Sequence, residues 1–260
     1  MSRPIIQSLW IGNKLSVLEQ LSISSFILNG HEFHLYSYNN ITNLPNGAQL
    51  KDANEIIPEK FVFTYCSNSY AGFADWFRWA LLYKKGNLWV DTDVVCLKPF
   101  EFDTSIIFGL EGASRVGCAV LGFPANYELC SFLENCCNKP NVFLPYDSLK
   151  IKKKKLKRRI LNRARNNIRW GEAGGPDGFT KALKHFDLMS LAKPFTYFYP
   201  IHCESWGAVF NETLAEDIGL FSQTYSIHLW NEKTREFKGF DKNASFPKKS
   251  LFEQLKSKYL

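Results

Sequence analysis

Residues 73–100 read FADWFRWALLYKKGNLWVDTDVVCLKPF, and the rest of the chain is organised around this stretch. Its first half predicts a helix, with Ser67, Asn68 and Ser69 as N-cap candidates and Gly86 as the C-terminal glycine. A Gly86-Asn87 turn leads into a strand, Leu88-Trp89-Val90, that ends in Asp91-Thr92-Asp93. In extended chain, residues two apart point to one side, so both carboxylates are expected to face one point. Such a pair is costly to bury unless positive charge compensates it. A divalent cation with hard oxygen ligands is the natural partner, and a diphosphate can supply further ligands to it. Removing either aspartate should then cost metal affinity rather than stability, because like charges repel without the metal. On the preceding helix Asp75 and Arg78, three apart, share a face.

Before this stretch, Ile5 to Ile11 predicts a buried strand, Ser16 to Leu28 a helix closed by Gly30, and Glu32 to Tyr38 a second strand. Strand, helix and strand within some 35 residues make a βαβ unit, which favours a mostly parallel sheet. Ligands of such sheets sit beyond the carboxyl ends of the strands, where Trp10 falls. Ile41 to Phe63, rich in Asn, Pro and Gly, reads as loops and a short helix. After the central stretch, Ile106 to Leu110 and Val116 to Gly122 are strand-like, and Asn126 to Cys137 predicts a helix. Gly171 to Phe186 is a glycine-rich turn opening a helix, but it lacks the Gly-Lys-Ser/Thr ending of a P-loop. Phe195 to Ile201 reads on its own as a core strand. In Tyr225 to Glu232 alternation puts His228 and Trp230 on one side, where a lone histidine reads more readily as a core residue than as a ligand.

Composition bounds the class. The chain has 260 residues, and its 45% hydrophobic and 15% aromatic content can fill a sizeable core, which excludes global disorder. The net charge of +7 is local: Lys150 to Arg169 carries eleven Lys or Arg and no acid, leaving 21 basic against 25 acidic residues elsewhere. Seven cysteines without framework spacing, several inside apolar runs, read as reduced thiols in a reducing compartment.

Asp-x-x-Arg on a helix, then Leu-Tyr, a glycine turn and Asp-x-Asp resemble the core of DXD-containing, nucleotide-sugar-dependent glycosyltransferases. The nearest resemblance is to the group of α1,4-glycosyltransferases and capsular-polysaccharide transferases, with the large glucosylating toxins more distant. Gly171 to Phe186, Phe195 to Ile201 and the His-x-Trp-Asn of 228–231 are similar to segments of the same group. One departure is Asn87, where the group has a second glycine; Asn tolerates left-handed backbone angles, so the turn is expected to survive.

The resemblance implies a single GT-A type α/β domain over residues 1–260, with a mostly parallel sheet flanked by helices; the basic amphipathic segment at about 148–170 lies outside the resemblance and reads as an insertion. It implies a retaining transferase moving a hexose or N-acetylhexosamine from a nucleotide sugar, UDP-linked by expectation, to a saccharide acceptor in cell-surface polysaccharide, lipopolysaccharide or capsule synthesis. Asp91, Asp93 and His228 would hold Mn²⁺ or Mg²⁺ on the donor diphosphate. Asp75 and Arg78 would act with the two DXD aspartates at the sugar and phosphate, with Trp10, Thr92 and Trp230 completing the donor site and Trp10 stacking on the base. Asp177 and Glu111 are the further carboxylates to inspect. A metal-dependent hydrolase, and a catalytically silent nucleotide- or membrane-binding module, are the alternatives.

In the basic segment Leu149, Leu156 and Ile160 fall on roughly one helical face. It reads as a solvated helix, as an adhesion surface for anionic membrane, or as a nucleic-acid patch. Membrane adhesion is the favoured reading, because a lipid-linked saccharide acceptor fits it and no base-stacking motif accompanies the charges. The amino terminus lacks the long apolar run of a signal peptide, and no stretch reaches ~18 consecutive apolar residues. A cytoplasmic protein, peripheral on the inner membrane face, is therefore expected.

Overall fold

The computed structural model describes residues 3–65, 68–161, 163, 167–214, 222–235 and 237–260. Cys66 and the cap candidate Ser67 lie outside the described residues, as do four positions of the basic segment. Strand β1 (Ile6–Trp10), helix α1 (Val17–Leu28) and strand β2 (Phe33–Ser37) form the expected βαβ unit, with β1 and β2 parallel. Helix α1 starts where Ser16 donates its backbone N–H to Glu19. Glu19, fully buried, also receives the ammonium of Lys242 at 2.6 Å, which ties the carboxyl-terminal region to this helix.

Strand β3 (Ala48–Asp52) pairs with β2 in parallel and forms one edge of the sheet. It occupies the segment expected as loops, because solvated side chains at Gln49, Leu50 and Asp52 leave no apolar alternation to read. Helix α2 (Ala71–Lys85) then crosses one face of the sheet, and its Phe73, Phe77, Trp79, Leu81 and Leu82 are fully buried. Its N-cap is Tyr70 rather than an earlier residue, although the Ser69 hydroxyl accepts the Ala71 N–H at 3.2 Å. Gly86 ends the helix at φ 64°, where a Cβ would meet the Ala125 backbone nitrogen at 2.6 Å, so only glycine fits. Asn87 follows at φ 67°, and the turn survives the missing second glycine.

Strand β4 (Asn87–Val90) runs parallel to β1, and β6 (Val120–Phe123) closes the other edge antiparallel to β4, giving the order β3-β2-β1-β4-β6. Period-two alternation on β4 sends Trp89 into one apolar layer and Leu88 and Val90 into the other. Helices α2, α3 (Glu128–Asn138) and α5 (Pro176–His185) cover the first face. Helix α1, with α7 (Leu251–Tyr259) packed on it, covers the second. The expected α/β class, a mostly parallel sheet flanked by helices, is observed. Ile106 to Leu110 forms isolated bridges rather than a strand, and Phe195 to Ile201 folds as a 3-10 turn and loop that buries Phe198 and Tyr199.

The basic segment folds as helix α4 (Leu149–Ile160), capped by Ser148. Arg158 and Lys154 both bind Glu172, at 2.6 and 2.8 Å. Burial opposes ionisation of Glu172, but these hydrogen bonds and charges outweigh it and hold the carboxyl at about 2, below its ordinary 4.5. A depressed acid pKa adds stability that is complete above the unfolded value and is lost as pH falls through the folded one. Wild type should therefore lose melting temperature between about pH 5 and 2 relative to Glu172→Gln. The check is a pair of melting-temperature profiles; parallel profiles would show that the contact has no pH-linked role.

Candidate metal and donor site

The site is built where β4 ends. Asp91, Thr92 and Asp93 do not continue the strand: the Val94 N–H donates to the Asp91 carbonyl at 3.1 Å, which makes the motif a tight turn. Convergence of the two carboxylates thus comes from this turn and not from strand alternation. The chain leaves the turn as β5 (Val94–Cys96), which pairs antiparallel with β7 (Ser226–His228) in a register that sets Val94 opposite His228. The Leu229 N–H donates to the Asp93 carbonyl at 2.9 Å, so the ladder delivers His228 beside Asp93. Ligand atoms of Asp91, Asp93 and His228 then lie within 4.8 Å of one another.

Each member is held from behind. Asp91 accepts the Trp89 indole N–H at 2.7 Å and lies 3.3 Å from the Arg78 guanidinium. Asp93 accepts the Asn231 N–H at 2.8 Å and lies 3.2 Å from His228 Nε2. Arg78 is itself buried, donates to the Cys118 carbonyl at 2.6 Å, and lies 3.5 Å from Asp75. Asp75 and Arg78 share a face, as expected, but that face is turned into the protein behind Asp91. The Gly174-Gly175 pair fits against this group: a Cβ on Gly175 would come within 2.6 Å of the Asp75 carboxylate, and Gly174 accepts the Trp79 indole N–H at 2.6 Å.

The electrostatics leave the site short of positive charge. Burial pushes the Asp75 carboxyl up to about 7, with Arg78 opposing and Asp91 adding to the shift. Burial also raises Asp91, against the pull of Arg78, with Asp93 adding its repulsion. Burial works on Asp93 in the same direction, but the charge and hydrogen bond of His228 and the Asn231 N–H outweigh it and hold Asp93 low. Burial disfavours charge on His228, yet Asp93, then Asp91, raise its pKa. Three carboxylates, Asp75 and Asp93 buried and Asp91 partly exposed, therefore face one guanidinium and one imidazole. The second ring nitrogen of His228, Nδ1, is buried without a hydrogen-bond partner among the described residues. Two hard carboxylates, an imidazole, uncompensated negative charge and an unpartnered buried nitrogen fit a divalent cation such as Mn²⁺.

The other expected residues gather at the same end of the sheet. Strands β1 and β4 run parallel, so Trp10 at the end of β1 and the Asp91–Asp93 turn after β4 lie at the same, carboxyl end of the sheet. Trp10 is half-buried; its indole N–H donates to the Lys14 carbonyl at 3.2 Å, and Lys242 lies 5.7 Å above its ring. Thr92 is partly exposed in the turn. The expected strand over 225–232 stops at His228, and Trp230 adopts left-handed angles (φ 55°, ψ 47°) at the start of α6 (Asn231–Thr234). That turn still sets the Trp230 ring 4.1 Å from the His228 ring, tilted by 50°, and lets its indole N–H reach the Ile201 carbonyl at 2.8 Å. Glu111 pairs with Arg115 at 3.0 Å, and Arg115 in turn lies 3.4 Å from Asp177, which also binds Arg169. Burial raises the Glu111 carboxyl, and the Arg115 and His228 charges draw it back.

Two contributors carried no sequence signal of their own. The Tyr199 hydroxyl accepts the N–H groups of Ala119 and Val120, both at 3.1 Å, and fixes the segment whose carbonyls serve Arg78 and the Asp91 N–H. The Cys118 carbonyl that receives Arg78 is a backbone group, which no residue type announces.

Residues 166–259 match a family model described as the alpha 1,4-glycosyltransferase conserved region. Lactosylceramide 4-alpha-galactosyltransferase of Mus musculus is 28% identical over 194 residues, covering 70% of this chain and 45% of that protein. The Gorilla gorilla gorilla protein of the same name is 27% identical over 170 residues, covering 61% and 44%. The chain is similar to the α1,4-glycosyltransferase group. It spans less than half the length of these two relatives. Among solved structures, the PaToxG glycosyltransferase aligns with a TM-score of 0.48 at 16% identity, over 71% of this chain and 70% of that one.

Proposed function

We propose that this protein is a metal-dependent, retaining glycosyltransferase of GT-A type that takes a hexose or N-acetylhexosamine from a UDP-sugar. The observation that carries this reading is the convergence of Asp91, Asp93 and His228 beyond the carboxyl ends of the parallel strands. In this reading Asp91, Asp93 and His228 hold Mn²⁺ or Mg²⁺ against the donor diphosphate. The cation would offset the charge that builds on the departing nucleoside diphosphate. Trp10 stacks on the base, and Thr92 and Trp230 border the sugar and phosphates. Arg78 and Asp75 are positioning residues: they fix Asp91 from behind, because the donors of Arg78 are already turned to Asp91, Asp75 and the Cys118 carbonyl.

The curated relatives are named for a galactosyl transfer to a glycosylceramide, which favours a lipid-linked saccharide as acceptor. Buried free thiols at Cys96, Cys118, Cys130, Cys136 and Cys137 support a reducing, cytoplasmic setting. A glycosidase would need two carboxylates flanking the scissile bond, roughly 5–9.5 Å apart, and the ligand atoms here lie within 4.8 Å of one another. The closer spacing favours a shared cation. The test is UDP release from a panel of UDP-hexoses and UDP-N-acetylhexosamines, with Mn²⁺ and with EDTA. Turnover of at least one donor is expected with Mn²⁺ and none with EDTA; UDP binding without turnover of any donor would leave the silent-module alternative standing.

A further inference from the structure

A surface helix of a soluble domain ordinarily buries its apolar stripe and exposes its charges. Helix α4 does the reverse. Lys155 is 5% exposed and donates to Asp147 at 2.7 Å and to the Val142 carbonyl at 2.9 Å. Lys154 and Arg158 are turned to Glu172, and the Arg159 guanidinium donates to the Asn141 carbonyl. These basic groups fasten the helix to the protein. On the opposite side Leu149 and Ile160 are 78% and 75% exposed, and Leu156 is exposed between them. At 3.6 residues per turn these three fall within about 40° of arc. Lys150, Lys152, Lys153 and Lys157 flank that stripe, with no acidic partner among the described residues. Val142 and Phe143, in the loop that Lys155 and Arg159 hold, are exposed as well.

We infer that α4 seats the protein on an anionic lipid bilayer, with Leu149, Leu156 and Ile160 in the headgroup–acyl boundary and the flanking lysines on lipid phosphates. An apolar stripe pointing away from the protein and bordered by unpaired lysines is the pattern of a helix lying in a membrane interface. A solvated helix has no use for the stripe, and a nucleic-acid surface would use only the charges. Among the described residues no helix is long and apolar enough to cross a membrane, so the contact is one of lying on the surface. The seat also bears on the site. The inner face of α4 grips Glu172, within the Gly171–Pro176 run, and Gly175 of that run abuts Asp75. The seated face is thereby joined to the wall of the proposed donor site. That this brings the site to a lipid-linked acceptor rests on the transferase reading; the seat itself does not.

The test is co-sedimentation of the full chain with vesicles of phosphatidylglycerol in phosphatidylcholine, against phosphatidylcholine alone, at low and high salt. Wild type should bind the anionic vesicles only, and less at high salt. Lys152→Gln/Lys153→Gln/Lys157→Gln should weaken binding about 100-fold, at roughly fivefold per charge near the surface. Leu149→Ser/Ile160→Ser should weaken it at least about tenfold and leave retention of a single-stranded RNA oligomer unchanged. Both variants leave Lys154, Lys155, Arg158 and Arg159, which fasten the helix, in place and should keep the wild-type melting temperature and UDP-sugar turnover. Wild type that ignores anionic vesicles at low salt would overturn the seat. Vesicle binding that falls with the lysine variant but survives the stripe variant would overturn it too, and would assign the surface to polyanions such as RNA. A protein that binds vesicles as expected but turns over no UDP-sugar would keep the seat and remove the transferase reading.

Discussion

Asp91→Asn and Asp93→Asn are each expected to lower UDP-sugar turnover by at least about 100- to 1,000-fold, the loss seen when a group that stabilises developing charge is removed. Their effects on stability should separate. Asp93 accepts the Asn231 N–H and meets His228, and removing its charge leaves a buried imidazole without its partner. Asp93→Asn should therefore cost about 1–3 kcal/mol. Asp91 keeps one indole hydrogen bond and shares Arg78 with Asp75, and its carboxyl carries the cost of burial and of Asp93's charge. Asp91→Asn should leave stability unchanged or slightly raised in EDTA. For Asp93 the cost departs from the sequence expectation that removing either aspartate costs metal affinity rather than stability, because β7 and Asn231 give Asp93 a structural partner set. Melting temperatures in EDTA, with UDP release in Mn²⁺, check both; retention of turnover by either variant would contradict the proposed site.

Arg78→Ala should be the most destabilising single change at the site. It strips the guanidinium from the buried Asp75, from the partly exposed Asp91 and from the Cys118 carbonyl. Breaking a buried ion pair by removing one partner costs about 3–5 kcal/mol, because the remaining charge is stranded. Adding Asp75→Asn should recover part of that loss, by a coupling of about 0.5–3 kcal/mol. Arg78→Lys should rescue little, since an ammonium cannot span three acceptors as the planar fork does. Turnover in these variants should fall in step with the displacement of Asp91. Denaturant unfolding of the four proteins gives the cycle; strictly additive losses would show that Asp75 and Arg78 act independently.

What the sequence disclosed depended on whether side chains or backbone set the feature. The βαβ unit, the helix over 71–85 and the Gly86-Asn87 turn were legible because apolar periodicity and turn residues determine them. Strand β3 was not, since its side chains face water and it exists through the ladder to Phe33–Ser37. Asp91, Asp93 and His228 were legible as residue types and by resemblance. Their convergence was expected, from strand alternation for the aspartates and by resemblance for His228; the backbone that achieves it was not legible, because it is a turn at Asp91–Val94 and a pairing of Val94 with His228 across 134 residues of chain. The stripe of α4 was legible, but its outward direction was not. Asp147 and Glu172 decide which face turns in, and they lie outside the helix.

Direct Mn²⁺ binding, followed by electron paramagnetic resonance with and without UDP, bears most closely on the central claim. The account predicts that wild type binds the ion, more tightly when UDP is present, and that Asp93→Asn and His228→Ala weaken this binding at matched folded fraction. UDP binding that is the same in EDTA as in Mn²⁺, with Mn²⁺ titrations that superimpose for wild type and both variants, would contradict it.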